Sequence, residues 1–301
     1  MPALKEKLCS LAEAASLIKD GARITIGGMS VHNHPMAFVY ELIRKRVKDL
    51  TVVGHVSADD IDILVGAGCV KKLEISYVGL EEFGLAPNFR RAAENGELEL
   101  REYPEPVCFQ RFQCSARGHP FFPTTQSLGT DLPKVNPDIK EIIDPFSGRT
   151  YHAISAAEPE WGIIHAPMGD KYGNVLYFEH RQQPVNLDII LSRATKNIIV
   201  TVEKIIDTER VRRLSHLNLI PRFRTTAIVE TPYGAHPSSC ISLYDHDRQH
   251  MKMYAQIARD PVEFKKYLDK YVYGVKSHLE YLNLIGIENL MRLRHVGGDL
   301  R

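Results

Sequence analysis

No run of about 18 consecutive apolar residues occurs in this chain, which argues against a membrane-spanning helix. Lys5, Glu6 and Lys7 interrupt the first ten residues, so the apolar segment of a secretory signal is missing there, and the expected location is cytoplasmic. Charge of one sign is lacking too: 38 Lys plus Arg face 37 Asp plus Glu, for a formal net charge of +1. Such a balance gathers neither nucleic acid nor an anionic membrane surface. The cysteines, Cys9, Cys69, Cys108, Cys114 and Cys240, are odd in number and widely spaced with no CxxC pair, which excludes a disulfide framework and a structural zinc site. Neither GxGxxG nor a Walker sequence is found, and there is no internal repeat or low-complexity tract.

What is present is an ordinary globular composition, 44% hydrophobic and 25% charged over 301 residues, enough for one large α/β domain spanning 1–301. Leu11, Ala14, Ala15, Leu17 and Ile18 have helical spacing, with Gly21 placed as a C-cap. Residues 23–28 read as a strand entering a glycine turn. Phe38, Val39, Leu42, Ile43 and Val47 then repeat as a helix after Pro35. Strands over 49–53, 70–77 and 98–103 alternate with helices over 59–65, 88–94 and 107–116. Apolar β-branched runs at 162–166 and 197–202 resume the pattern. The expected fold class is α/β, an open mostly parallel sheet flanked by helices. Residues 120–151 lack periodicity and read as an irregular excursion. A helical tail over 246–294 shows Leu268, Tyr271, Val272 and Val275 in one register and Leu279, Leu282 and Leu284 in the next.

Gly27-Gly28-Met29-Ser30 sits between a strand and a helix, where exposed backbone N–H groups and a helix N-terminus suit an anion or a developing oxyanion, although for a Gly-Gly pair taken alone a tight turn is the favoured explanation. His236 has the chemistry of a base, or of a histidine holding a turn. His32, His34 and His55 with Asp59, Asp60 and Asp62 read as metal ligands or as helix-entry residues, although metal spacing is absent and no metal is expected.

The window Asp20-Gly21, Ile24-Thr25-Ile26, Gly27-Gly28-Met29, Asn33-His34-Pro35 resembles the N-terminal signature of the alpha subunit of family I CoA-transferases: Asp-Gly, three apolar residues, Gly-Gly-Phe and Gly-x-Pro. Thr25, Met29 and Asn33 depart from it. Pro232 to Cys240, containing Tyr233-Gly234-Ala235-His236-Pro237-Ser238, and Leu243 to Asp247 are similar to the glutaconate CoA-transferase branch, as are Gly66 to Lys71, His119 to Pro123 and Tyr281 to Gly286. Ala93-Glu94-Asn95-Gly96 echoes the Ser-Glu-Asn-Gly of the family's beta subunit, but it sits where a helix ends at Gly96 and reads as coincidence.

The resemblance implies an alpha-type chain that works on coenzyme A thioesters of carboxylic or dicarboxylic acids. It places the nucleophilic glutamate on a partner, the beta subunit, in an A2B2 heterotetramer or a larger assembly. Gly27, Gly28, Met29 and Ser30 would then form the oxyanion or thioester loop, with His34, His55 and Tyr77 in the substrate pocket. Tyr77 to Glu82 lacks the serine that the glutaconate enzyme carries after its third strand, which argues against glutaconate itself. Glu105 stands where the similar alpha subunit of steroid-ring CoA hydrolases carries an important glutamate, so ring-opening hydrolysis or decarboxylation is an alternative. An acidic residue opening a helix is the structural explanation. A non-catalytic, partner-binding role is the second alternative.

Overall fold

The computed structural model describes residues 4–179 and 182–295. Seven strands run parallel: β1 (Arg23–Ile26), β2 (Leu50–Val53), β3 (Val70–Ile75), β4 (Glu99–Glu102), β5 (Trp161–Gly169), β6 (Asn197–Ile205) and β7 (Thr225–Glu230). They lie in the order β7-β6-β5-β1-β2-β3-β4. Val175–Leu176 and Asn218–Ile220 add an antiparallel extension to the end of β5. The sheet is the mostly parallel one expected, and its alternation decides the two cores: Ile163 and Ile199 join one cluster, Ile164, Ile198 and Val200 the other.

The helices that matter below are α1 (Met36–Arg44), α2 (Asp59–Gly66), α3 (Pro87–Glu94), α4 (Glu105–Arg117) and α5 (Gln183–Ala194). Helix α4 starts at Glu105, two residues before its apolar pattern, because a proline is compatible with the first turn and Pro106 needs no N–H there.

Three expectations are corrected. The first helix stops after Leu11–Ala15, fixed at its start by the Ser10–Glu13 capping box, and Gly21, at φ 75°, shapes the later turn into β1 instead of capping that helix. The 120–151 segment is not irregular: Phe121–Thr124, Ile139–Ile143 and Thr150–Ser155 form an antiparallel sheet with the last strand central. Solvated strands with few apolar residues carry little periodic signal, and here Ile139 and Ile154 supply the buried side. In the tail, helix His278–Ile285 buries Tyr281 and Ile285, while Leu279 and Leu284 face outward.

Glu74, nearly fully buried in β3, joins three elements. Both guanidinium nitrogens of Arg23 on β1 donate to its two oxygens at 2.8 Å, and Arg111 of α4 donates at 2.7 Å. Burial alone would raise the Glu74 pKa, but the hydrogen bonds and charges of Arg23 and Arg111 outweigh it and hold the carboxyl at about 2. Arg111 also donates to Ser155 O at 3.1 Å and lies 4.2 Å from the Tyr103 ring centroid, fastening α4 to the antiparallel insertion. Glu74→Gln leaves Arg111 buried without its counter-charge and should cost about 3–5 kcal/mol in urea denaturation at neutral pH. Because the folded pKa is depressed, the wild-type advantage should be full above about pH 4.3 and fade as pH falls toward 2, and the variant should lack that acid-dependent loss.

Candidate active site

Strand order reverses between β1 and β5, and in open α/β sheets the crevice beyond the strand C-termini at such a point is where ligands bind. The Gly27–Asn33 loop leaves β1 there. Ser30 and Asn33 take φ of 56° and 58°, and Gly28 takes 87°. A Cβ on Gly28 would meet His32 O at 2.5 Å and the Asn33 carbonyl carbon at 2.8 Å, so backbone, and not a movable side chain, requires glycine there.

The four loop amides are all donated inside the chain. Gly27 N–H goes to Ile163 O at 2.7 Å, Gly28 N–H to Asp188 Oδ1 at 2.9 Å, Met29 N–H to His32 O at 2.9 Å and Ser30 N–H to Val56 O at 3.2 Å. The expected row of free oxyanion donors at Gly27, Gly28, Met29 and Ser30 is therefore not what the loop presents, since buried amides at a tight turn take the nearest acceptors.

His34 does not line a substrate pocket either. It is fully buried beneath the loop, with Nδ1 2.9 Å from Gly27 O and Nε2 against Ser30 O. Carbonyl oxygens only accept, so both ring nitrogens are placed to donate, an arrangement that favours the protonated ring. Burial opposes that charge, but Asp60, with Oδ2 3.3 Å from Nδ1, together with Asp59 and the two carbonyls, raises the pKa above its usual value. His34 thus pins both ends of the loop from below.

Asp188, from α5, has no exposed surface, and burial pushes its carboxyl up to about 8 against the opposing pull of the Gly28 amide, His34 and Tyr177. No sequence signal announced it, since it lies 160 residues from the amide it accepts.

Above this base lies a cleft of about 640 Å³ whose walls include Met29, Ser30, Tyr77 and Glu105, with Ser76 and Glu102 from the ends of β3 and β4. Four candidate residues from three separate parts of the chain therefore meet at one opening. Ser30 Oγ donates to Glu81 at 2.6 Å, and Ser76 Oγ donates to His55 O. His55 stands behind Glu105: its Nε2 is 3.8 Å from Glu105 Oε1, Nδ1 is buried without a partner, and its ring meets Phe109 edge-on at 6.1 Å. Burial lowers the His55 pKa, with Glu105 opposing, so the ring is held toward the neutral form. Glu105 itself is 54% exposed at the cleft mouth.

The remaining candidates are structural. His236 is buried between Tyr281 OH at 2.7 Å and Asp247 Oδ2 at 3.1 Å, binding its turn to the helical tail. Asp62 accepts from Phe89 N–H, Asn88 and Tyr254 OH, and Asp59 accepts from Ser238. Among the described residues His165, Glu203 and Cys240 are grouped closely enough to hold a metal ion. Glu203, however, already accepts from Tyr233 N–H, Gly234 N–H and Tyr244 OH besides facing His165, and so shapes the Tyr233 segment. Asn95 ends α3 and Gly96 follows at φ 69°, as expected for a helix terminus.

Two measurements check this base. Gly28→Ala should destabilise the protein by about 2 kcal/mol or more, whereas Gly21→Ala, at φ 75° with open space around it, should cost about 1 kcal/mol in the same urea titration. Asp188, with its raised pKa, makes the folded state lose stability as pH rises from about 4 toward 8. Asp188→Asn keeps an oxygen for Gly28 N–H and has no charge to bury, so it should match wild type at or below about pH 4 and exceed its melting temperature at pH 8.5.

Residues 9–231 match the family described as Coenzyme A transferase. The alpha-type subunit of the glutaconate CoA-transferase of Acidaminococcus fermentans is 31% identical over 97% of this chain and 96% of its own length. The crystal structure of that organism's glutaconate coenzyme A-transferase superposes with a TM-score of 0.92 over 97% of this chain and 96% of that one. The Cholesterol ring-cleaving hydrolase IpdA subunit of Rhodococcus jostii is 30% identical over 91% of this chain and 94% of its own. An uncharacterized protein of Archaeoglobus fulgidus is 38% identical over 97% of this chain, which spans 65% of that protein's length. With a family match running through every strand of the main sheet, and a relative's alpha-type chain aligning almost end to end, this chain belongs to the coenzyme A transferase family and is of the alpha type.

Proposed function

We propose that this chain is the alpha subunit of a heteromeric CoA-transferase that works on the CoA thioester of a carboxylic or dicarboxylic acid, with the nucleophile supplied by the partner, the beta subunit. The observation that carries this reading is a cleft whose serines are not activated as nucleophiles, in a chain that aligns almost end to end with an alpha-type relative. Its serines donate to Glu81 and to a carbonyl, with no histidine among the described residues hydrogen-bonded to take their protons. Burial raises the thiols of Cys108, to about 12, and of Cys240, far from thiolate at neutral pH. A carboxylate entering from the partner would attack the thioester carbonyl and expel CoA thiolate as an acyl anhydride forms. CoA thiolate would then return to the glutamyl carbonyl and release the first acid, and the incoming acid would complete the exchange.

In this scheme the Gly27–Ser30 loop offers a rigid shaped wall held by His34 and Asp188, and Met29 with Tyr77 faces the acyl group. Coenzyme A enters as substrate, an A2B2 heterotetramer or a larger assembly completes the site, and the cytoplasm is the proposed location. The match to alpha-type relatives along nearly the whole length favours one domain spanning 1–301.

One observation favours a second reading in the same cleft. Glu105 stands at its mouth with neutral His55 behind it, an arrangement suited to activating water or a carbon acid, as a hydrolase or decarboxylase requires. Fold alone does not choose between them. The chain without its partner should turn over no acyl-CoA. In the assembled enzyme Glu105→Gln should leave acceptor-dependent CoA exchange within about twofold of wild type. A loss of a hundredfold or more confined to hydrolysis or carbon–carbon cleavage, at unchanged melting temperature, would move the assignment to the second reading.

A further inference from the structure

Beside the cleft lies a second cavity, of about 370 Å³, which shares Ser76, Tyr77 and Glu102 with it. Its walls are mainly apolar: Val78, Leu85, Phe89, Ala93 and Leu100. Tyr77 stands between the two spaces, 43% exposed, with its ring folded against Gly79, where any Cβ would collide with the tyrosine. A third hollow, of about 430 Å³, continues past Leu85, Arg90 and Glu94 and ends among Arg91 and Arg259.

Charge along this path is uneven. Arg90 is satisfied by Glu94 at 2.7 Å. Arg91 is oriented by Asn88 Oδ1 and by the carbonyls of Ala258 and Arg259, all neutral acceptors, and no carboxylate pairs with it among the described residues. The exposed Arg259 guanidinium has no side-chain hydrogen bond or ion pair among the described residues. A mainly apolar cavity beside the reaction cleft thus opens, past the Arg90–Glu94 pair, onto a charged hollow holding two guanidiniums with no carboxylate partner of their own among the described residues.

Resting on the proposed CoA-thioester function, we infer that the cavity behind Tyr77 holds the acyl chain of the substrate and that Arg259, backed by Arg91, receives a carboxylate at the far end of that chain. The geometry favours an extended dicarboxylic acyl group. A bulky ring system does not fit a space at the low end of the roughly 300–1,000 Å³ typical of ligand pockets, and guanidinium groups pair with carboxylates by parallel N–H bonds. Ala93 and Arg259 set which acids are accepted, by length and by charge, without touching the reacting carbonyl.

The test compares propionyl-, hexanoyl-, octanoyl-, adipyl- and suberyl-CoA in the enzyme assembled with its partner. Ala93→Phe should lower kcat/KM at least about tenfold for the longer esters and leave propionyl-CoA unchanged. Arg259→Ala should raise KM at least about tenfold for adipyl- and suberyl-CoA only, and Arg259→Lys should recover part of the loss. Equal losses for every ester would assign the guanidiniums to the phosphates of CoA, and no loss for any ester would empty the channel of a role; either result overturns the inference. If wild type turns over none of these esters, the proposed function fails separately. The channel is then judged by methyl NMR of Val78, Leu85 and Leu100 in this chain: suberate should shift them in wild type and not in the Arg259→Ala variant, whereas no shift with suberate, or equal shifts with octanoate, overturns it.

Discussion

The Glu74 carboxylate is the constraint from which the rest of the site takes its position. It lies on β3, is gripped by Arg23 of β1, and is joined by Arg111, which sits less than two turns along the helix that Glu105 begins. Strand spacing, helix direction and the depth of Glu105 at the cleft mouth are therefore set together. A buried pair of this kind is seldom a large net source of stability, because desolvation offsets most of the attraction. What it supplies is direction: the placement of α4 gives the buried Arg111 guanidinium a counter-charge on the sheet.

The glycine loop follows a comparable logic with the signs exchanged. The His34 ring under the loop holds the carbonyls of Gly27 and Ser30, and the carboxyl of Asp188 holds the amide of Gly28. A loop saturated in this way gives little to a ligand by hydrogen bonding but keeps its shape while a partner chain and a thioester are brought against it. In the proposed function chemistry is thereby divided, with a fixed wall on this chain and the reactive carboxylate on its partner.

Much of this was legible beforehand because it is local. The alternation of β-branched runs with helical spacing announced the sheet, and Gly27-Gly28 between a strand and a helix announced the crevice. Tyr77 and Glu105 fell at strand ends, where a parallel sheet gathers its functional residues. What escaped is non-local or directional. Asp188 and Arg111 are ordinary helix residues until the fold brings them to Gly28 and Glu74. His34 looked like a pocket residue because sequence shows that a histidine is near a loop but not on which side of it. The 120–151 strands were overlooked because a sheet with one largely solvated face needs few apolar side chains.

The reach from Gly28 to Asp188 also has a meaning in time. The loop's amide emerges from the ribosome 160 residues before its acceptor. At about 5–20 residues per second that is an interval of roughly eight to thirty seconds, during which β1 to β4 can form while the loop lacks its lock. The nascent first half of this protein is a scaffold with an open latch, and the latch closes only when α5 is translated.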